Sequence, residues 1–202
     1  QPMQALENKL SNAWSVISHL NGVMNNDDLR KVYKNCLEKL TEYSTEVSQN
    51  GALCEAYKKL AARDDFKELS EPQRKSIENI LRDFRLGGVD LPEDKKKRYA
   101  DLSRELAELS NKFSDNVLDA TQHWFKHITD VDELSGLPET AIEGAKQAAR
   151  QKELDGYVIT LDFPSFYPVM TCCNNRELRR EVYEAFVTRA SDQGPDAATW
   201  DQ

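Results

Sequence analysis

The chain has 202 residues, of which 39% are hydrophobic and 31% charged, and its formal net charge is −8. This composition suits a helix-rich soluble domain with a core of its own. The negative charge argues against nucleic-acid binding and against an anionic membrane surface, because both need a positive face. No apolar run approaches the ~18 residues of a membrane helix. We therefore expect neither nucleic acid nor membrane as a partner.

The cysteine content predicts a reducing, cytoplasmic location. Four cysteines in a chain of this length are too few for a disulfide scaffold. They are Cys36, Cys54, Cys172 and Cys173. No signal peptide is recognised and the first methionine is Met3, so we expect the N-terminus to be a processing boundary or a cloning choice.

Helical periodicity dominates the N-terminal half. An apolar repeat at spacings of three and four predicts a first helix over residues 6–20. Asp27 is expected to cap a second helix, which ends at Asn50. The segment SEPQ, from Ser70 to Gln73, has the pattern of a capping box and predicts the start of a fourth helix.

The strongest predicted element is one very long helix over residues 92–122. Its apolar residues alternate spacings of three and four, as in a coiled-coil seam. We expect this seam to be buried and the opposite face, which includes Arg104, to stay polar. The seam consists of Tyr99, Leu102, Leu106, Leu109 and Phe113.

Two stretches break the helical pattern. Residues 123–129 and 156–163 are aromatic and β-branched, which favours strands, and a helix that starts at Pro138 lies between them. Two such strands could pair as a small sheet. The predicted fold class is therefore mainly α, a helical domain with one very long helix and a small two-stranded β element.

His123 and His127 are the first candidates for chemistry. Histidines four apart share a face of a helix or a strand, so two metal ligands are conceivable. The H-E-x-x-H motif, however, places a general-base Glu after the first His, and Trp124 stands there instead. Structural or solvated histidines are the favoured interpretation, and a small metalloprotein is the alternative.

Cys172 and Cys173 are the second candidate pair. Their Cα atoms are separated by only ~3.8 Å, which would strain a disulfide. Metal-binding cysteines normally have two residues between them. We therefore predict one buried thiol and one boundary thiol. The basic run from Lys95 to Arg98 is interpreted as a solvated helix face, and no phosphate-binding loop or nucleophile elbow is present.

A resemblance to a known family comes from the C-terminal part of the chain. The segment YVITLDFPSFYPVMTCCNNRELRREVYEAFVTRASDQGP, together with SHLNGVMNNDDLR, the long-helix segment and LSGLPETAI, resembles the N-terminal region of the thimet oligopeptidase family of zinc metallopeptidases. The similarity runs along essentially the whole chain. Within it, the segment from Phe163 to Tyr167 is expected to be a joint: Pro164 and Pro168 end the strand, and Phe163, Phe166 and Tyr167 wedge helices together.

The resemblance implies a non-catalytic part of a larger enzyme. Residues 1–202 would form the helical N-terminal domain, a channel wall around a deep cleft in which short peptides are hydrolysed. The family's H-E-x-x-H motif, its zinc ion and its general base lie in a C-terminal catalytic domain, whose motif is absent here. We therefore predict no catalytic, cofactor-binding or metal-binding residue in this chain and no activity of the fragment alone. The implied partners are the C-terminal catalytic domain of the same polypeptide and short peptide substrates.

A different class of function remains open. The chain could be a stand-alone helical protein-interaction module whose long helix binds a partner. A large exposed apolar stripe fits either interpretation, because a catalytic domain would cover it too. The reading frame beyond codon 202 separates the two hypotheses.

Overall fold

The computed structural model describes residues 2–193. It confirms the predicted class: mainly α, with a two-stranded antiparallel sheet. By compactness the chain divides into two units, residues 1–111 and 112–202, called unit 1 and unit 2. The helices are α1 Pro2–Val23, α2 Asp27–Ser48, α3 Gly51–Ala61, α4 Glu71–Leu86, α5 Glu93–His123, α6 Glu139–Gln151, α7 Phe163–Cys172 and α8 Arg176–Thr188. The strands are β1 Phe125–Ile128 and β2 Tyr157–Thr160, and short 3₁₀-helices cover Asp64–Glu68 and Val131–Leu134.

Side-chain caps fix the helix starts in unit 1. Asn26 caps α2, because its Oδ1 accepts a hydrogen bond from the Leu29 N–H at 2.8 Å. The prediction that Asp27 is the cap was wrong: Asp27 lies in the first turn, where an acid favours the positive helix end. The capping box of α4 is confirmed, since the Ser70 N–H donates to Gln73 Oε1 at 2.9 Å.

Unit 1 buries few of its apolar side chains. Among the described residues of this unit, the buried cluster consists of Cys54, Phe84 and Val89, with a few half-buried neighbours from α3 and α4, and Ile77 is buried outside it. α1 contacts α2 through Trp14 and Tyr33, whose rings stack with centroids 4.6 Å apart. Much of the apolar periodicity of this unit therefore faces outward.

The long helix is confirmed as the 31-residue α5, but its predicted burial is wrong. Leu106 is 65% exposed, and the other leucines of the seam and Phe113 are exposed as well, while Tyr99 is half-buried. The half-buried positions on the N-terminal part of α5 include Ala100, Ser103 and Ala107 instead. The apolar seam of α5, apart from Tyr99, is therefore exposed.

Unit 2 is built on the predicted strand pair. β1 and β2 pair antiparallel, and Phe125 lies opposite Thr160. Both strands have four residues, so they are shorter than predicted. Gly156 precedes β2 with φ +97°, and a Cβ on it would collide with the Ile128 carbonyl oxygen. The strands can come together at this end only because residue 156 lacks a side chain.

The core of unit 2 is larger and continuous. α6 and α7 pack on β2, and α8 packs on α7. Trp124, Phe166 and Phe186 are among the half-buried side chains around this core. The buried members are Ile128, Leu134, Leu137, Ala145, Ile159, Leu161, Val169, Cys173, Leu178, Val182 and Ala185. Among the described residues, no helix is both long enough and apolar enough to cross a bilayer.

Candidate functional site

His123 and His127 do not share a face of one element. His123 is the last residue of α5, whereas His127 lies in β1, because the helix ends between them. The premise of the two-ligand hypothesis, a single helix or strand through both residues, therefore does not hold.

His127 already has a structural partner. Its Nε2 lies 2.6 Å from the Asp155 carbonyl oxygen, and since a carbonyl only accepts, this nitrogen donates. The bond ties β1 to the turn before β2. Between residues 2 and 193, no group of three or more His, Cys, Asp or Glu side chains is arranged to hold a metal ion. The described part of the chain therefore does not fit a zinc site.

Cys172 and Cys173 occupy opposite environments. Cys172 is exposed at the end of α7, and Cys173 is buried with 3% of its surface exposed. The Cys173 thiol points at the Glu133 carbonyl oxygen, 3.7 Å away, and both cysteines are free thiols. One thiol is thus a core residue, as predicted, while its neighbour lies fully at the surface.

The aromatic segment after β2 is only partly the predicted joint. Phe163 begins α7 and is 67% exposed, and it stacks on exposed Tyr167 with centroids 5.1 Å apart. Only Phe166 wedges helices together, through its contact with Phe186 of α8. Pro168 lies inside α7 and does not precede it, so that part of the interpretation was wrong. In a helix the side chains at i and i+4 share a face, which places residues 163 and 167 on the outer side.

Arg189 is a feature that the sequence analysis missed. Its guanidinium lies 3.8 Å from the centroid of the Phe186 ring and donates to the Phe186 carbonyl oxygen. Its Nε is buried and has no hydrogen-bond partner among the described residues. Burial lowers the pKa of Arg189. An arginine three positions after an inward-facing aromatic, at a helix end, is the signal that could have indicated it.

The basic run at the start of α5 behaves as a solvated face. Lys95, Lys97 and Arg98 are exposed, and Lys96 Nζ lies 3.1 Å from Glu93 Oε1. This i, i+3 ion pair joins the half-buried Lys96 to the exposed Glu93, and pairs of this kind contribute little to stability.

Comparison with known proteins relates the N-terminal half of the chain to a family of oligopeptidases. Residues 1–96 match the family model described as "Neurolysin/Thimet oligopeptidase, N-terminal domain". This part of the chain therefore resembles the N-terminal domain of this class of oligopeptidases.

Proteins named oligopeptidase A are similar to the chain over nearly its whole length. The chain is 48% identical to "Oligopeptidase A" of Escherichia coli (strain K12) over 100% of its own length and 30% of that protein. It is 50% identical to "Oligopeptidase A" of Haemophilus influenzae over 99% of the chain and 29% of that protein. "Organellar oligopeptidase A, chloroplastic/mitochondrial" of Arabidopsis thaliana is 34% identical over 95% of the chain and 25% of the relative. The predicted resemblance is confirmed, and the chain spans about 30% of the length of its bacterial relatives.

Proposed function

We propose that residues 1–202 are the non-catalytic N-terminal portion of a zinc metallo-oligopeptidase that hydrolyses short peptides. The observation that carries this proposal is the 48% identity to oligopeptidase A, which runs through 100% of the chain. An identity that continues through both units favours a common architecture for the entire region.

In this proposal the two halves of the enzyme have separate roles. The zinc ion, its ligands and the general base are assigned to a C-terminal catalytic domain of the same polypeptide, as the resemblance to the family implies. Residues 1–202 form part of the wall of a channel that admits short peptides. The location is cytoplasmic, in keeping with the four cysteines, which are all free thiols.

The test compares the product of the full reading frame with residues 1–202 alone. Both are assayed on a quenched fluorescent short peptide, with and without a metal chelator, and both are analysed for bound metal. We expect chelator-sensitive cleavage and stoichiometric zinc in the full protein only. Cleavage by residues 1–202 alone would overturn the division of roles. Failure of the full protein to cleave short peptides would overturn the peptidase assignment.

The interaction-module hypothesis has one observation in its favour, the exposed apolar seam of α5. It requires a reading frame that ends near codon 202, or one that continues without H-E-x-x-H. Sequencing beyond codon 202 decides between the two functions, because only the peptidase needs this motif downstream.

A further inference from the structure

α1 carries a second apolar stripe, and this stripe is also exposed. Its positions alternate spacings of three and four along the helix, the pattern of a coiled-coil seam. Leu6 is 66% exposed, and every other member of the stripe is exposed as well. We call this stripe the α1 seam. It consists of Met3, Leu6, Leu10, Ala13, Ile17 and Leu20.

A strip of α1 next to the seam makes the contacts with α2. Trp14 stacks on Tyr33 of α2, and the Ser18 and Tyr33 hydroxyl oxygens are 3.5 Å apart. Asn21 is buried. These three residues of α1 each follow a seam residue by one position, so their strip lies roughly a quarter turn from the seam, whose own members stay exposed. The seam is therefore not the part of α1 that holds unit 1 together.

The composition of α1 is that of a covered helix. Of its 22 residues, only Glu7 and Lys9 carry a full charge, whereas 31% of the whole chain is charged. Exposed helices normally present charged side chains opposite their buried stripe. Apolar surface is costly to leave in water, and contiguous exposed patches mark interaction sites. A helix with this exposure and so few charges is expected to be buried in the working protein.

The unit around α1 leads to the same conclusion. Its buried hydrophobic cluster contains Cys54, Phe84 and Val89, and most of its other large apolar side chains are half-buried or exposed. Depletion of charge at an apolar surface distinguishes obligate interfaces, which resemble a domain core cut in half. This argues for a permanent partner over a transient one.

We propose that the α1 seam is an obligate intramolecular interface, covered by an apolar helix from the part of the polypeptide that follows residue 202. This inference rests on the proposed function, because it requires the longer chain. The length of the relatives supports such a longer chain. Because residues 1–202 cover only 30% of oligopeptidase A of Escherichia coli, the larger part of such a protein lies outside these residues. A partner on the same polypeptide binds at a high effective concentration, so even a short seam would stay closed.

A second copy of the chain is a weaker occupant. The six seam positions run from Met3 to Leu20 and span ~26 Å at ~1.5 Å per residue. A seam of this length contains fewer than the three or four heptads that an independent coiled coil usually has. Self-association through this seam alone would therefore be weak.

The experiment measures cysteine labelling in the product of the full reading frame. Leu10→Cys places a thiol on the α1 seam, and Ser15→Cys places a matched thiol on the exposed opposite side of the same helix. A maleimide is added, and the rate at each position is read by mass spectrometry of the α1 peptide, which separates it from the native cysteines. We expect Leu10→Cys to react at least tenfold more slowly than Ser15→Cys, and the two rates to become equal in denaturant.

Each other outcome counts against the proposal. Equal rates in the folded full protein would overturn it. Protection that grows with protein concentration, together with a dimeric mass, would assign the seam to a second copy. If Leu10→Cys does not fold, hydroxyl-radical footprinting of the unsubstituted protein answers the same question at Leu6, Leu10 and Ile17, where strong modification would contradict the proposal.

The two proposals fail in different ways. A protected α1 seam in a full protein that cleaves no peptide would refute the peptidase function alone. Chelator-sensitive cleavage by a protein whose seam labels freely would refute the interface alone. Peptide cleavage is therefore measured on the same preparations.

Discussion

Phe166 of α7 lies against Phe186 of α8, with ring centroids 4.1 Å apart and planes inclined by 22°. The guanidinium of Arg189 lies over the same Phe186 ring. The two helices are thus joined by an aromatic stack that ends in a cation. Phe163, three residues earlier on the same helix, stacks only on Tyr167, and both of these rings are exposed. α7 therefore presents two aromatic contacts, of which one holds the fold together.

This difference gives a matched pair of substitutions. Phe166→Ala should lower the free energy of unfolding by about 3 kcal/mol, because it leaves a void between α7 and α8. Phe163→Ala should change the free energy of unfolding by less than about 0.5 kcal/mol, as at most surface sites. Chemical denaturation followed by circular dichroism measures both. Equal losses of unfolding free energy would mean that the exposed stack of Phe163 on Tyr167 also stabilises the fold.

How far the sequence determined the fold depends on the kind of signal. Local chemistry, such as the Ser70 capping box and the length of α5, was predicted correctly because it depends on neighbouring residues. The burial of the α5 seam was predicted wrongly, because periodicity identifies an apolar face but does not show which part of the protein covers it. The seam was assumed to pack within this chain, whereas Leu106 is 65% exposed in the structure.

The seam result reverses the expected effect of a substitution on α5. Leu106→Ala should cost less than about 0.5 kcal/mol in the 202-residue chain, since its side chain is largely in water. Leu134→Ala should cost about 2–5 kcal/mol, because Leu134 is 0% exposed in the core of unit 2. Urea unfolding of both variants tests the assignment of the helix face. If Leu106→Ala lowered the free energy of unfolding more than Leu134→Ala does, the α5 seam would be buried after all.

The candidate sites were predictable to a lesser extent. For the adjacent cysteines, the prediction of one buried thiol is confirmed at Cys173, whereas Cys172 is exposed. Arg189 escaped notice, because its burial depends on the stack of Phe166 and Phe186, which are distant in sequence. Contacts between separate helices are not encoded in any short pattern. The absence of catalytic residues in this chain stays a prediction for the assay of residues 1–202.

The two neighbouring thiols should react very differently. Cys172 is exposed and should be alkylated within the first phase of labelling, whereas buried Cys173 should react only on unfolding. Cys172→Ser should leave the free energy of unfolding unchanged. Cys173→Ser should lower the free energy of unfolding by about 1–3 kcal/mol, because this substitution buries a hydroxyl group in an apolar core. In the full-length enzyme that we propose, neither variant should change kcat by more than a small factor. A loss of ~10³-fold with folding intact would assign a catalytic role.

Two glycines of unit 2 offer opposite outcomes for the same substitution. Gly156 has φ +97°, and a Cβ there would collide with the Ile128 carbonyl oxygen at the end of the strand pair. Gly144 lies in the middle of α6, where a Cβ would meet nothing within 4 Å. The substitution Gly→Ala therefore adds strain at one position and removes conformational entropy of the unfolded chain at the other.

Gly156→Ala should destabilise the chain by more than about 1 kcal/mol, because an L-residue is unfavourable at this φ and backbone atoms cannot move aside cheaply. Gly144→Ala should raise the free energy of unfolding by about 0.5–1 kcal/mol, the usual gain in an exposed helix interior. Thermal and urea unfolding of the two variants measure the sign of the change in unfolding free energy at each position. A neutral Gly156→Ala would show that the turn before β2 can relax, and then the His127 bond to Asp155, which closes the same turn, should also be dispensable.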